Sequence, residues 1–153
     1  MRKEKIAIGC DHGGFALKVK VLEFLRRLRL DVVDFGTFSE ESMDYTDIAY
    51  KVALAVSEKK ADKGILICKS GIGNSIVANK LRNVRAALCY NLRAAKLSRQ
   101  HNDANILALG ALFTGPAEAK KIVKAWLATP FEGGRHLRRV KKIERIEKLC
   151  ARN

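Results

Sequence analysis

The chain has 153 residues, 48% of them apolar, and a formal net charge of +14; that length suits one domain with a real core, and the charge leaves open either a nucleic-acid binder or an enzyme that draws in anionic substrates. No apolar run approaches the roughly 20 residues of a membrane span, and Met1-Arg-Lys-Glu-Lys5 leads straight into a strand pattern without a signal-peptide core. The four cysteines, Cys10, Cys68, Cys89 and Cys150, lie far apart with no CxxC pair, which argues against zinc and against a disulfide framework and fits a reducing cytoplasm.

Ile6-Ala-Ile-Gly-Cys10 reads as a buried strand ending at Asp11-His12-Gly13-Gly14. Phe15, Leu17, Val21, Leu22, Leu25 and Leu28 then recur at helical spacing. Asp31 to Phe35 is a second strand closed by Gly36, and the polar stretch Thr37 to Asp44 is a loop. Tyr45 to Glu58 predicts an amphipathic helix with Ile48, Ala49, Val52 and Val56 inward. Gly64 to Cys68 is a third strand, apolar enough to be buried on both faces. Ser70, Gly71 and Gly73 interrupt it, and Ile72 to Lys80 reads as a helix that follows at once. Val84 to Cys89 is strand four and Leu92 to Arg99 a short helix, and Gln100 to Asn105 precedes strand five at Ile106 to Leu109. Pro116 opens a helix to Leu127, proline being tolerated near a first helical position. Pro130-Phe-Glu-Gly-Gly134 breaks the chain before a last helix, Arg135 to Cys150, where Arg135, Arg138, Arg139, Lys141, Lys142, Arg145, Lys148 and the following Arg152 face only Glu144 and Glu147. The ordinary reading of that run is a solvated basic helix face.

Five strands alternating with helices across short loops predict a Rossmann-like three-layer α/β/α sandwich, with a five-stranded parallel sheet and an extra C-terminal helix, in one domain over residues 1–153. Ligands in such folds bind beyond the carboxyl ends of the strands. That rule gathers Asp11, His12, Cys68 and the Ser70–Gly73 loop on one edge, whereas His101 and Asn102 come before strand five and are not placed there by it. The strand–turn–helix at Cys68 points several backbone N–H groups at one spot, where a helix N-terminus also favours negative charge. Such surroundings favour a thiolate, while Cys10, Cys89 and Cys150 read as small hydrophobes. Asp11 has a plain alternative role as a cap of the next turn, and His101 alone would be an unremarkable loop histidine. A dinucleotide fingerprint is not met: Gly71-Ile-Gly73 lacks its third glycine, and Asp34 alone resembles a ribose-binding acid.

Gly9-Cys-Asp-His12, Asp44-Tyr45, Gly64-Ile-Leu-Ile-Cys68, Gly71-Ile-Gly73, Ser98-Arg-Gln-His-Asn-Asp-Ala-Asn105 and Gly133-Gly-Arg-His136 together resemble the type B ribose-5-phosphate isomerases, a family that also includes allose- and galactose-6-phosphate isomerases. The resemblance runs nearly end to end. It implies a cofactor-free, metal-free aldose–ketose isomerase of the pentose phosphate pathway, interconverting ribose 5-phosphate and ribulose 5-phosphate through a cis-enediolate. It also implies a homodimer or a dimer of dimers whose sites use residues of both subunits, with the C-terminal helix at the interface. By the same resemblance Cys68 matches the base and His101 the group that opens the furanose ring, with Asp11 nearby. The amides of Lys69, Ser70, Gly71, Ile72 and Gly73 match the hole for the enediolate oxygen, and Ser70 stands where the family usually has Thr. His12, Arg135 and Arg139 match phosphate ligands and Asn102 a sugar-hydroxyl ligand. Two departures are Lys69, usually Gly, and Leu112, often an Arg that reaches the phosphate; they mark a shifted substrate preference or a divergent subgroup. If residue 69 needs a positive φ, Lys strains the loop by about 1 kcal/mol; if not, its ammonium can favour the thiolate or touch an oxyanion.

The physical chemistry supports these roles independently. Abstracting a proton beside a carbonyl needs a base and preformed donors for the oxyanion, and Arg135 and Arg139, four apart, share one helix face. The nearest rival is an isomerase of another aldose phosphate. The rival of another class is a basic nucleic-acid-binding module, disfavoured because the aromatic clusters that stack bases are missing. The expected partner is therefore a small sugar phosphate, with no nucleic acid and no membrane.

Overall fold

The computed structural model describes residues 3–151, so Arg152 lies outside the described residues. The elements run β1 (Lys5–Cys10), α1 (Phe15–Arg27), β2 (Asp31–Asp34), α2 (Tyr45–Ser57), β3 (Lys63–Cys68), α3 (Ile72–Ala78), β4 (Ala86–Leu88), α4 (Leu92–Asn102), β5 (Ile106–Gly110), α5 (Pro116–Ala128) and α6 (Gly134–Cys150). The strands form one parallel sheet in the order β2-β1-β3-β5-β4. This is the expected α/β/α sandwich.

Side-chain alternation along the strands builds the two cores. Ile6, Ile8, Ile65, Ile67, Leu107 and Leu109 meet Leu17, Val21 and Leu25 of α1, Ala95 of α4 and Ile122, Val123 and Trp126 of α5 on one face. Ala7, Leu66 and Ile106 meet Ile48, Ala49, Val52 and Val56 of α2 and Ala78 of α3 on the other. Each fully buried Leu, Ile or Val contributes on the order of 2 kcal/mol from burial. That explains why β3, all six residues of which are buried, could be read without periodicity. α6 stands outside both layers and packs against α4, burying Val140 and His136.

Three boundaries differ from expectation by two residues or more. β4 begins at Ala86 rather than Val84, because the Asn105 side chain takes the Arg85 N–H at 2.8 Å in place of a strand partner. On the outer side of β4, the Asn79 amide donates to the Ala86 carbonyl and accepts its N–H, at 3.0 and 2.8 Å, capping an edge that would otherwise be free. α3 stops at Ala78 rather than Lys80. α4 continues to Asn102 rather than Arg99 and ends when Asp103 adopts φ 45, with the Asp103 and Ala104 N–H groups closing onto Arg99 and Ser98 carbonyls. His101 and Asn102 are thus in the last turn of a helix, not in a loop.

The connections decide where a ligand can sit. From β1 the chain moves outward to β2, then returns past β1 to β3, so the sheet order reverses between β1 and β3 and leaves a crevice beyond their carboxyl ends.

Candidate active site

β1 and β3 deliver Asp11-His12 and Cys68 to the two sides of this crevice. Asp11 is buried, and its Oδ1 accepts the Gly14 N–H at 2.9 Å. The plain capping role is therefore filled, which fixes the carboxylate against the turn His12–Gly14. His12 is exposed and its Nδ1 accepts the Met43 N–H at 3.2 Å. A neutral ring held this way carries its proton on Nε2, so it presents a donor outward.

Cys68 is 4% exposed, and its Sγ accepts the Gly71 N–H at 3.0 Å. Gly71 has φ +80, and a Cβ there would lie 2.5 Å from Leu88 Cδ1 and 2.9 Å from the Leu109 carbonyl carbon. Only glycine turns the chain back onto the sulfur at that point. The Ile72 N–H is taken by Ser70 Oγ at 3.2 Å, and Tyr90 Oη donates to the Ser70 carbonyl at 3.0 Å. The expected amide cradle over Lys69–Gly73 is thus shared: Gly71 serves the thiol and Ile72 the Ser70 hydroxyl. Gly73 lies under the Tyr45 ring, 2.5 Å from where a Cβ would sit, so the first residue of α2 walls the turn.

Lys69 is exposed, and among the described residues only Arg29, Lys59, Asn83 and Asp103 combine a side chain with a positive φ. Lysine at 69 is unstrained. Its carbonyl accepts the N–H of Leu112 at 3.0 Å, and Leu112 is 64% exposed. The two positions that depart from the family pattern are therefore joined by one backbone hydrogen bond.

His101, Asn102, Arg135 and Arg139 are not part of this group within one chain. α4 and α5 run back along the sheet, so the last turn of α4 and the first turn of α6 lie at the amino end of the strands. The Gly64 N–H, near the start of β3, donates to the Asn105 carbonyl, whereas Cys68 pairs with Gly110 at the far end. At about 3.3 Å per residue the two edges are on the order of 15 Å apart. The expected anion site between His12, Arg135 and Arg139 does not form within a single chain.

At the amino edge is a cluster the sequence reading did not assemble. His101 stacks on His136 with ring centroids 4.1 Å apart and an interplanar angle of 8°. Glu132 Oε2 lies 4.0 Å from His101 Nε2 and 3.6 Å from His136 Nε2. Burial, then the neighbouring His101 and Arg135, hold the His136 imidazole below the usual histidine value against the pull of Glu132. The four-residue step from Glu132 to His136 was a visible signal; the stacking on His101 was not. Nor could the sequence show that Met43 fixes His12, or that Tyr45 and Tyr90 pack on the Cys68 turn.

Among the described residues no helix is long and apolar enough to cross a membrane. A family model described as Ribose/Galactose Isomerase matches residues 6–143. Ribose-5-phosphate isomerase B of Escherichia coli K12 is 50% identical over 144 residues, covering 94% of this chain and 97% of that protein. The solved ribose-5-phosphate isomerase B of Clostridium thermocellum superposes with a TM-score of 0.93 at 52% identity, over 94% of this chain and 97% of that one. The Mycoplasma genitalium ribose-5-phosphate isomerase B, solved with bound ribulose-5-phosphate, has a TM-score of 0.92 at 42% identity, over 97% and 99%.

Proposed function

The chain belongs to the ribose/galactose isomerase family, and we propose that it interconverts ribose 5-phosphate and ribulose 5-phosphate with Cys68 as the proton carrier. The observation that carries this reading is the Gly71 N–H aimed at the Cys68 sulfur at 3.0 Å, in the crevice where the strand order reverses. The reaction moves one proton from C2 to C1 and a second from O2 to O1, and so shifts the carbonyl from C1 to C2. The Cys68 sulfur, reacting as thiolate, takes the C2 proton; the C–H electron pair forms the C1–C2 double bond while the C1=O π pair moves onto O1, giving a cis-enediolate. The same sulfur then returns the proton to C1 as the O2 proton passes to O1 and the C2 carbonyl forms. No electron leaves the substrate, so no oxidant and no cofactor are required. Amides of the Lys69–Gly73 turn other than those of Gly71 and Ile72 hold the developing oxyanion in this reading, and one such donor is typically worth about 3 kcal/mol of barrier.

Asp11, anchored by Gly14, and Ser70 face the sugar hydroxyls in this reading, and His12 offers its outer N–H to the phosphate. His101, Asn102, Arg135 and Arg139 belong to the site through a second copy of the chain. A two-fold pairing that lays the amino edge of one subunit against the carboxyl edge of its partner builds two complete sites. Exposed Leu137, Ile143, Ile146 and Leu149 on α6 support this, as does the groove of about 790 Å³ lined by Val84, Ala86, Ala87, Ile143 and Ile146. We therefore assign α6 to a homodimer interface, with a dimer of dimers as the larger option. Reduced thiols at Cys10, Cys68 and Cys89 suit the cytoplasm.

The Lys69–Leu112 contact suggests how the departures fit together. A cation absent from position 112 stands instead one backbone hydrogen bond away, where it can reach either the phosphate or the enediolate. This moved charge is the one feature favouring a second reading, a related aldose phosphate with its phosphate held elsewhere. A coupled isomerase assay across pentose and hexose phosphates tests both. Ribose 5-phosphate is expected to turn over best, and Cys68→Ala to lose at least about 10³-fold in kcat with an unchanged melting curve. Robust turnover of a six-carbon phosphate with none of ribose 5-phosphate would end the ribose assignment. Salt-sensitive RNA or DNA binding, with no isomerase activity for Cys68→Ala to remove, would favour the nucleic-acid-binding rival.

A further inference from the structure

The His101–Glu132–His136 cluster has the donor set and spacing of a metal site. Its three ligand atoms all lie within 4.8 Å of one another. A four-coordinate zinc-class ion with metal–donor distances of about 2.1 Å places neighbouring donors about 3.4 Å apart. The Glu132 oxygen is already 3.6 and 4.0 Å from the two imidazole nitrogens, and all three donors lie within 4.8 Å; the half-exposed His101 ring has to turn out of its parallel stack on His136 for both in-plane lone pairs to reach one ion. Gly133 and Gly134, with φ 67 and 53, fold Glu132 back over His136 at the start of α6. The His136 side chain is buried while those of His101 and Glu132 are 38% and 48% exposed, which gives one fixed ligand and an open approach. Two imidazoles and one carboxylate suit zinc and its neighbours and leave a fourth position for water; magnesium and calcium need more oxygens than this cluster offers.

We infer that His101, Glu132 and His136 bind one zinc-class divalent cation per chain, and that filling this site takes His101 out of the reaction. The ion is an inhibitory ligand, not a cofactor, because the isomerisation moves only protons and needs no metal. Arg135 and Arg139 beside the site oppose a dication, so the affinity is below that of a closed structural zinc centre. Binding stands on the geometry alone, whereas inhibition rests on the ring-opening role proposed for His101.

The chain has three histidines, which makes the test direct. The full-length protein is stripped with EDTA and titrated with Zn²⁺, following the imidazole resonances by NMR and the stoichiometry by calorimetry, with Mg²⁺ as the control ion. One Zn²⁺ per chain is expected to move the signals of His101 and His136 and leave those of His12, with Mg²⁺ silent. Glu132→Gln, at an exposed position, and His101→Gln, at a half-buried one, are expected to weaken binding about tenfold or more. Zn²⁺ binding that leaves both imidazoles unmoved, or that disappears in Cys68→Ser and persists in Glu132→Gln, overturns the site. In the isomerase assay, Zn²⁺ is expected to inhibit over the concentrations that fill the site, with EDTA restoring the rate. Binding without inhibition overturns the second half of the inference, and an EDTA-treated protein with no isomerase activity overturns the functional reading while leaving the metal site intact.

Discussion

Gly71 carries the local geometry of the site, because its N–H contacts the Cys68 sulfur only while its φ stays at +80. Gly71→Ala adds both left-handed strain and a Cβ 2.5 Å from Leu88, an expected loss of about 2–4 kcal/mol in urea unfolding and a drop in kcat larger than any change in KM. Cys10 makes a second residue-scale prediction. It is fully buried, and that burial, only partly offset by Lys18, raises its thiol from 9.0 to about 11. The unfolded chain releases this proton first as pH rises, so the folded state loses stability from about pH 9 and continues to lose it to about pH 11, on the order of 2–3 kcal/mol in all. Urea midpoints should fall across that window, and Cys10→Ala should flatten the fall. The thiol at 68 and its glycine turn were legible in the sequence, since a strand running into Ser-Gly-Ile-Gly points to few other things. The commitment of the Gly71 amide to the sulfur was not, because it depends on the direction of a single N–H.

At the scale of elements, α1 is tied to β2 and to the loop beyond it by a buried ion pair. Lys18, 1% exposed, donates to Asp34 at 2.7 and 2.9 Å and to the Thr37 carbonyl at 2.6 Å. The same loop carries Met43, whose N–H fixes His12. Lys18→Met leaves Asp34 without its partner, at an expected cost of about 3 kcal/mol in thermal or chemical unfolding, and the Lys18→Met/Asp34→Leu double variant should recover most of it. Asp34 thus has a structural partner, and its resemblance to a ribose-binding acid has a simpler cause. Helical periodicity placed α1, α2 and α5 to within a residue or two because each buries one stripe. β4 and α4 moved because their ends are set by Asn105 and Asp103, contacts that no periodicity encodes.

Across the whole molecule, the proposed residues divide between two edges of one sheet, and only a second copy can join them. Complementation between subunits follows. Cys68→Ala and His101→Ala homodimers should each be nearly inactive. Unfolded together and refolded as an equal mixture, about half the dimers are mixed and each of these carries one intact site, so about a quarter of wild-type activity should return. If no activity returns while native mass spectrometry shows mixed dimers, Cys68 and His101 do not share a site across subunits.

The sequence by itself determined the order of strands and helices, the parallel sheet, and the group Asp11, His12 and Cys68. Apolar periodicity encodes burial, and a parallel sheet has one carboxyl edge to which every strand end is delivered. Only the tertiary structure decided that His101 and the Arg135–Arg139 pair stand at the opposite edge. It also brought Glu132 and His136 against His101, showed Lys69 to be unstrained, and set its carbonyl on the Leu112 N–H. These are meetings between residues far apart in the chain, produced by how helices return along the sheet, and local pattern carries no record of them.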